Sequence, residues 1–409
     1  MSRAEAPAGI VLSLFATGLG AVRSLAAGGV RVIGMDSDPS MPGFRSRRCA
    51  AELCPDPVTQ QDLLVEHLLA RAAALPRGSV VFPASDAFVL FLSRHRAALE
   101  DHYRFALPEG DVLEAIIDKR KQYELAERAG IPYPPTYCPE TQADVDRVAR
   151  EVAYPVIVKP YVGHLWRARF GGAHKGFKAS GPEELRTVFE EVLRARIPAL
   201  VQSIVAGPNV NHYKLSAYVG RDGEPHATFA LRKIRQYPPE FGVGTLVESV
   251  DEPEVTDLGV TFLRAIGYRG IGSVEFKRDY RDGTLKLIEL NPRLWQQSSL
   301  ATACGLNFPM LQYADLTGGA RARPGRYRTG VRWLDAIPDF QSFRAQRKTL
   351  RQSWWDWLTS LRRVRAFATF SPSDPRPYLH ENLWGLRYLR LPYYLLKQRR
   401  SGAHGERAA

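Results

Sequence analysis

The 409-residue chain contains little cysteine and no long uninterrupted apolar segment. Its four cysteines form no C-x-x-C pair, which argues against a zinc site and against a disulfide framework. No apolar run approaches the ~18 residues needed to cross a bilayer, and the amino-terminal residues lack the apolar core of a signal peptide. With 45% hydrophobic and 24% charged residues, the composition predicts a globular cytoplasmic protein.

Positive charge is concentrated at one end of the chain. Residues 321–409 contain 19 Lys and Arg against 6 Asp and Glu, which accounts for the whole net charge of +13. Within this part, an apolar stripe at helical spacing predicts a basic amphipathic helix, membrane-associated or not; its members are Phe343, Leu350, Trp354, Trp357, Leu361 and Val364. The alternatives are packing on the protein's own body or in a homodimer, peripheral membrane contact through residues 341–400, and binding to an acidic partner. Nucleic acid is disfavoured because no nucleic-acid motif accompanies the segment.

The amino-terminal region has the pattern of an α/β domain. Residues 9–36 read as strand, glycine turn, helix and strand, which predicts a parallel sheet. Gly18, Gly20 and Asp36 leave open a dinucleotide-binding oxidoreductase, although Arg23 stands where the third glycine of that motif belongs. Ser85 and Asp86 end a later strand, where they either hold a substrate amine or cap the next helix.

The stretch KLIELNP, residues 286–292, places Glu289 and Asn291 on the same side of an apolar strand. A turn at residues 281–283 predicts a hairpin with the preceding strand. A two-residue loop would set Glu275 opposite Leu290. A three-residue loop, with Gly283 left-handed and Tyr280 paired with Thr284, would set Glu275 opposite Glu289. Opposed carboxylates repel unless a cation lies between them, so this register predicts a Mg²⁺ site. The alternative is a solvated face paired with Lys277 and Lys286.

Cations for phosphate binding occur in two further segments. Lys159 ends an apolar strand and precedes a glycine-rich loop that also contains Arg and Lys residues. In residues 230–245, strand alternation predicts that Lys233 and Arg235 share a face. Arg293, two residues beyond Asn291, lies within reach of the same predicted site.

Several motifs in this order resemble the ATP-grasp superfamily, and specifically its carboxylate–amine ligase-type members. They are Lys119 in IIDKRKQYELAERAGIP, PVIVKP, the glycine-rich loop, VQSIVAGPNVN, LRKIRQYPPEFGVGTLVES, VEFKRD and IELNPR. The resemblance covers residues 9–318. It implies an α/β plus α+β fold with ATP-grasp architecture, which divides into a Rossmann-like pre-ATP-grasp domain (1–112) and an ATP-grasp domain (113–320). The latter would contain a lid subdomain at about 150–205, and a basic, aromatic helical extension (321–409) would follow.

The resemblance also implies an activity: ATP would phosphorylate a carboxylate, and an amine would then attack the acyl phosphate. It implies Mg²⁺, or alternatively Mn²⁺, on Glu275, Glu289 and Asn291, and an acyl-phosphate site formed by Arg293 with Lys233 or Arg235. The implied nucleotide-binding residues are Lys119, Lys159, Gly171, Gly172, Lys175, Gln202, Ser203, Val205 and Asn209. Ser203 and Asn209 depart from the family pattern, since relatives often carry acidic residues there.

Overall fold

In the computed structural model, the described residues are 6–163, 166, 170, 176–319 and 325–385. The first sheet is five-stranded and parallel, in the order β3-β2-β1-β4-β5. Its strands are β1 (Gly9–Leu12), β2 (Val32–Asp36), β3 (Ala50–Leu53), β4 (Ser79–Pro83) and β5 (Tyr103–Arg104). Its helices are α1 (Ala16–Ala27), α2 (Gln61–Ala72), α3 (Asp86–Arg94), α4 (Arg96–Leu99) and α5 (Gly110–Ile117), with a 3₁₀ turn at Pro42–Arg45.

The glycines of the first turn serve close packing. A Cβ on Gly18 would lie 1.8 Å from the carbonyl oxygen of Ser13, so only glycine fits there. Asp36 accepts hydrogen bonds from the backbone N–H groups of Leu14, at 2.6 Å, and Asp38, at 3.1 Å. Gly18 and Asp36 therefore stabilise the first βα turn, which accounts for both residues without a dinucleotide.

A second, four-stranded antiparallel sheet has the order β6-β9-β7-β8. Its strands are β6 (Thr136–Tyr137), β7 (Val156–Pro160), β8 (Phe177–Ala179) and β9 (Ala199–Ser203), and the helices of this region are α6 (Lys119–Arg128), α7 (Gln142–Glu151) and α8 (Pro182–Arg194). Thr136 pairs with Gln202, so this sheet begins well before residue 150, where the lid was expected to start. Residues 110–128 form two helices rather than one, because Asp118 ends α5 and caps α6.

The third sheet is the largest, with strand order β14-β13-β10-β11-β12-β15-β16. Its strands are β10 (His212–Val219), β11 (Pro225–Tyr237), β12 (Val243–Val250), β13 (Gly270–Arg278), β14 (Leu285–Asn291), β15 (Arg332–Leu334) and β16 (Val364–Phe367). The accompanying helices are α9 (Pro253–Ala265), α10 (Ser298–Ala303), α11 (Phe308–Thr317), α12 (Ala336–Gln346), α13 (Trp354–Ser360) and α14 (Arg376–Gly385), with a 3₁₀ turn at Asn209–Asn211. One face of this sheet packs on α9 through an apolar cluster, and the opposite face carries the polar residues described below.

Within residues 325–385, two short strands join this sheet, so this part of the chain is not a purely helical extension. β15 pairs with β12, and β16 pairs with β15, so both strands extend the main sheet. The predicted continuous amphipathic helix is wrong, because the chain turns between α12 and α13 with Arg351 in the left-handed region at φ 51°. Phe343 and Trp357 of the predicted stripe stack on each other, with Phe343 fully buried. Within the described ranges, we find no helix with the length and apolar character required of a membrane span.

Candidate functional site

Polar side chains form rows across the centre of the large sheet. Lys214 of β10 pairs in register with Glu275 of β13, which pairs with Glu289 of β14. In the next row, two residues along, Ser273 lies between Ser216 and Asn291. Because residues two apart share a face, the members of both rows project from the side of the sheet opposite α9. The predicted opposition of Glu275 and Glu289 is therefore present.

The register arises by a different route from the predicted one. Tyr280 does not pair with Thr284; the backbone N–H of Asp279 donates to Thr284, at 2.9 Å, and closes a four-residue loop. Gly283 is left-handed as predicted, with φ 74°. The ladder then shifts by one residue where Ile288 bulges out of β14, which brings Glu289 opposite Glu275.

The bulge is held from outside the sheet by α6. The hydroxyl of Tyr123 donates to the carbonyl of Ile288 at 2.7 Å, and the side chain of Gln122 bonds both the N–H and the carbonyl of Leu290. β14 is an edge strand, so these bonds satisfy backbone groups that would otherwise lack partners in the sheet. By bonding the backbone of β14, helix α6 thus positions Glu289 and Asn291.

Glu275 lies at the centre of a cationic cluster. Its carboxylate is 3.0 Å from Lys214 Nζ, 2.8 Å from His212 Nε2 and 3.6 Å from Lys233 Nζ. Burial alone would raise the pKa of this carboxyl, but Lys214, Lys233 and the hydrogen bond from His212 hold the pKa well below its usual value. Glu275 is therefore ionised and available as an oxygen ligand.

His212 is a neutral spacer between these charges. Burial, with help from Lys233, lowers the pKa of His212 to about 4. Lys233 Nζ lies 3.4 Å from Nδ1, and because an ammonium only donates, Nδ1 accepts. Nε2 therefore carries the proton and donates it to Glu275.

Glu289 has its own lysine, Lys119, whose Nζ lies 3.6 Å away at the first position of α6. Burial alone would lower the pKa of Lys119, but Glu289, Tyr123 and Asp86 together raise it above its usual value. Asn291 donates to Glu289 at 2.8 Å, which orients the amide beside the carboxylate.

Lys159 lies on the neighbouring second sheet and contacts the same helix. Its ammonium donates to the Tyr123 hydroxyl at 2.9 Å. Burial raises the pKa of Tyr123 to about 12, so this hydroxyl stays protonated. Through Tyr123, the structure connects Lys159 to the bulge in β14 and to Gln202, whose side-chain oxygen lies 3.3 Å from the hydroxyl.

Arg293 joins the amino-terminal domain to the site. Its Nε lies 2.6 Å from Oδ1 of Asp86, at the first position of α3. Desolvation opposes the charge of Asp86, but the guanidinium keeps the pKa of this carboxyl below its usual value. Ser85 is the N-cap of α3 and accepts from the N–H of Phe88 at 3.5 Å, as the capping alternative predicted.

Lys233 and Arg235 do not share a face, contrary to the prediction. Lys233 pairs with Val247 and Arg235 with Leu246, so Ile234 has no partner in the ladder. Since successive partners alternate sides, this bulge turns the two cations in opposite directions. Lys233 faces Glu275, whereas Arg235 makes two 2.8 Å bonds to the fully buried Asp339. The structure assigns Arg235 a role in packing the sheet against α12.

Four of the predicted nucleotide-binding residues lie at the end of β9 and just beyond it. The side chain of Gln202 donates to Thr136 at 2.7 Å, and the N–H of Ser203 donates to the carbonyl of Pro135 at 2.9 Å, so both help to hold the strand. The carbonyl of Val205 accepts from Lys277 at 2.8 Å, and burial lowers the pKa of that lysine. Asn209 begins the 3₁₀ turn just before β10.

Three predicted nucleotide-binding residues, Gly171, Gly172 and Lys175, lie outside the described residues. The predicted donors for a divalent ion are two opposed carboxylates, Glu275 and Glu289, and the amide oxygen of Asn291. Mg²⁺ prefers oxygen ligands and usually takes the remainder from water and phosphate, so this donor set fits Mg²⁺. In the part of the chain that the structure describes, no group of three His, Cys, Asp or Glu side chains forms a complete metal site.

Comparisons with known proteins find this arrangement of strands in ATP-dependent enzymes. The family described as carbamoyl-phosphate synthase L chain, ATP binding domain, matches residues 246–314, which contain Glu275, Glu289 and Asn291. The structure matches the biotin carboxylase domain dimer of Hydrogenobacter thermophilus 2-oxoglutarate carboxylase, solved with MgADP and bicarbonate, with a TM-score of 0.61, 18% identity, and coverage of 79% of this chain and 73% of that one. The chain has the ATP-grasp fold.

Two amino-acid ligases are also similar to this ATP-grasp protein. D-aspartate ligase of Enterococcus faecium is 26% identical over 237 residues, which cover 56% of each sequence. The L-amino acid ligase structure from Bacillus licheniformis matches with a TM-score of 0.57 and 16% identity, covering 77% of this chain and 75% of that one. The chain thus spans about half the length of the curated ligase that it matches, and the ATP-grasp fold predicted from sequence is confirmed.

Sequence reasoning missed two side chains of the ATP-grasp site, His212 and Lys214. The signal was present in HYKLSAYV, where His212, Lys214 and Ser216 alternate with residues facing the core. Three polar residues on one side of an otherwise apolar strand indicate a covered polar site, just as Glu289 and Asn291 do.

Proposed function

We propose that the protein is an ATP-dependent ligase that joins a carboxylate to an amine through an acyl phosphate. The observation that carries this proposal is the row of Lys214, Glu275 and Glu289 in register, with Lys119 and Lys233 completing a site of alternating charge. Phosphoryl transfer depends mainly on positioning and on neutralising charge, and this arrangement suits both needs.

In the proposed reaction, a substrate carboxylate oxygen attacks the γ-phosphorus of ATP, and ADP departs. The amine nitrogen then attacks the acyl carbon, phosphate departs, and a proton passes from nitrogen to solvent. Bound Mg²⁺ would neutralise and orient the phosphates. Glu275, Glu289 and Asn291 would hold it, with Mn²⁺ as a substitute.

The lysines have separate places in this scheme. Lys119 and Lys159 approach from α6 and from the second sheet, so they suit the nucleotide phosphates. Lys233 lies beside Glu275 and suits the transferred phosphoryl group. Arg293 reaches the site from the segment after β14 and contacts Asp86, so it suits the acyl phosphate at the boundary with the amino-terminal domain.

The substrate acid is proposed to be an amino acid, since the two similar ligases are described as a D-aspartate ligase and an L-amino acid ligase. The test is ADP release from ATP and Mg²⁺ with a panel of D- and L-amino acids, each supplied with and without an amine. Hydroxylamine serves as a general amine, because it converts an acyl phosphate to a hydroxamate that mass spectrometry identifies.

Glu289→Gln should lower ADP release at least ~100-fold, because it removes a charged oxygen from the metal site. Glu127→Gln, at an exposed position of α6, is the matched control and should leave the rate unchanged. Equal rates for wild type and Glu289→Gln would refute the assignment, as would stabilisation by NAD without any ADP release.

A homodimer is also proposed, since the similar biotin carboxylase domain is described as a dimer. Sedimentation equilibrium of the full chain tests this directly. A mass of twice the 45.8 kDa chain would support the dimer, and a single-chain mass at high concentration would exclude it.

A further inference from the structure

The short helix α13 exposes an apolar face that the proposed ligase chemistry does not use. Trp355 is 66% exposed, Leu358 50% and Trp354 46%, and Leu350 in the preceding turn is 54% exposed. Positions 354 and 355 lie four and three residues before 358, so the three side chains adjoin on one side of the helix. A cluster of this kind is unusual on a soluble surface and indicates a contact site.

The helix is firmly fixed from its other side. Trp357 donates its indole N–H to the buried Asp339 at 2.9 Å and stacks on Phe343. Ser353 and Asp356 form a capping box that begins the helix. The outward position of Trp355 and Leu358 is therefore set by the fold rather than by a loosely attached segment.

Exposed cations occur throughout the same segment. Between residues 344 and 365 there are seven, against the single acidic residue Asp356; they are Arg344, Arg347, Lys348, Arg351, Arg362, Arg363 and Arg365. Among the described residues, none of the seven forms an ion pair with a carboxylate. We refer to these cations together with Leu350, Trp354, Trp355 and Leu358 as the basic aromatic surface.

We propose that the basic aromatic surface docks the enzyme on an anionic lipid membrane. Tryptophan and leucine side chains enter the boundary between headgroups and acyl chains, while surrounding Lys and Arg bind acidic headgroups. A protein with such a surface would work at the face of a membrane.

Charge argues against the other occupants. A second copy of the chain would bring seven like charges to face seven, which opposes self-association through this surface. The chain's own residues 386–409 are also basic, with six Lys and Arg against one Glu, so they are poorly suited to cover it. Leu350 and Leu358 have no flat face on which a nucleic-acid base could stack, whereas both are suited to a lipid interface.

The test is co-sedimentation of the full-length protein with vesicles, without ATP, so that the result does not depend on the ligase assay. One set of vesicles is phosphatidylcholine alone, and in the other about a third of that lipid is replaced by phosphatidylglycerol. We expect binding only to the anionic vesicles. Binding should weaken strongly between ~0.1 M and ~1 M salt, where the Debye length falls from ~10 to ~3 Å.

Two double variants separate the apolar and charged contributions. Trp355→Ser with Leu358→Ser should weaken vesicle binding at least ~10-fold, because two large side chains no longer enter the interface. Arg362→Glu with Arg363→Glu should weaken it at least ~25-fold, since each cation near an anionic surface contributes about fivefold. Both variants should keep the wild-type melting temperature.

Matched controls lie on exposed positions elsewhere. Leu53→Ser with Leu63→Ser removes equally exposed leucines, and Arg128→Glu with Arg150→Glu reverses two exposed charges. Neither pair should change vesicle binding. The proposal is overturned if wild type ignores anionic vesicles, if the α13 variants bind like wild type, or if polyglutamate or a single-stranded oligonucleotide binds as tightly at the same salt.

Discussion

Replacing Asp339 with asparagine would leave a buried guanidinium without its counter-charge. Asp339 is fully buried and accepts from Arg235, from Trp357 and, at 3.2 Å, from Thr245. Arg235 is only 6% exposed, so water cannot solvate its guanidinium once the charge of Asp339 is lost. Breaking a buried pair from one side lowers the free energy of unfolding by about 3–5 kcal/mol, and we expect a loss in that range.

The double variant Arg235→Met with Asp339→Leu removes both charges together. Apolar replacement of a buried ion pair is often nearly neutral, although the hydroxyl and indole groups that bond this pair would lose partners worth ~1–3 kcal/mol each. We therefore expect the double variant to be more stable than Asp339→Asn and to retain ADP release per folded molecule.

Urea unfolding followed by circular dichroism measures the stabilities, and ADP release measures the activity. The interpretation of Arg235 as a packing residue fails if Asp339→Asn loses less than ~1 kcal/mol. It also fails if the double variant folds but releases no ADP, because Arg235 would then act in the chemistry.

Three further predictions follow from the site. Tyr123→Phe removes the hydroxyl that accepts a hydrogen bond from Lys159. Because one hydrogen bond contributes ~1 kcal/mol, the KM for ATP should rise about fivefold in ADP-release assays. An unchanged KM would show that this contact does not contribute to nucleotide binding. Asp86→Asn should lower kcat at least ~10-fold by releasing Arg293, and retention of wild-type kcat would show that the arginine is positioned without it. Burial, with nearby Glu381 and Asp339, raises the pKa of Asp335 to about 7. Between pH ~4, the unfolded pKa, and pH ~7 this carboxyl is protonated in the folded state but ionised in the unfolded state, so the free energy of unfolding falls as pH rises through this window. Asp335→Asn should accordingly stabilise the protein at pH 8 more than at pH 5 in urea unfolding, and the reverse order would contradict this sign.

The two strands that carry Glu275 and Glu289 were the part of the fold most accessible from sequence. Glu289 and Asn291 interrupt an apolar run, and a left-handed glycine marks the hairpin, so the opposition of Glu275 and Glu289 could be inferred. The inferred loop was one residue too short, and the bulge at Ile288 compensated for it. A bulge held by Tyr123 from a distant helix leaves no pattern within the strand itself.

Two predictions made from local sequence patterns were wrong because tertiary contacts overrode the patterns. Alternation predicted a common face for Lys233 and Arg235, but the unpaired Ile234 reverses one of them. Helical spacing predicted one long amphipathic helix near residue 350, whereas burial of Phe343 and Trp357 against the sheet divides it into two. In both cases a local period was present, and packing with residues far along the chain overrode it.

The most direct test of the proposed chemistry is a crystal structure with Mg²⁺ and a non-hydrolysable ATP analogue. We predict that oxygens of Glu275, Glu289 and Asn291 lie ~2.0–2.1 Å from magnesium that also contacts the phosphates. Lys214 and Lys119 would then have moved from these carboxylates toward the nucleotide. A structure in which both carboxylates keep their present lysine partners, with the nucleotide and its ion bound elsewhere, would contradict the account.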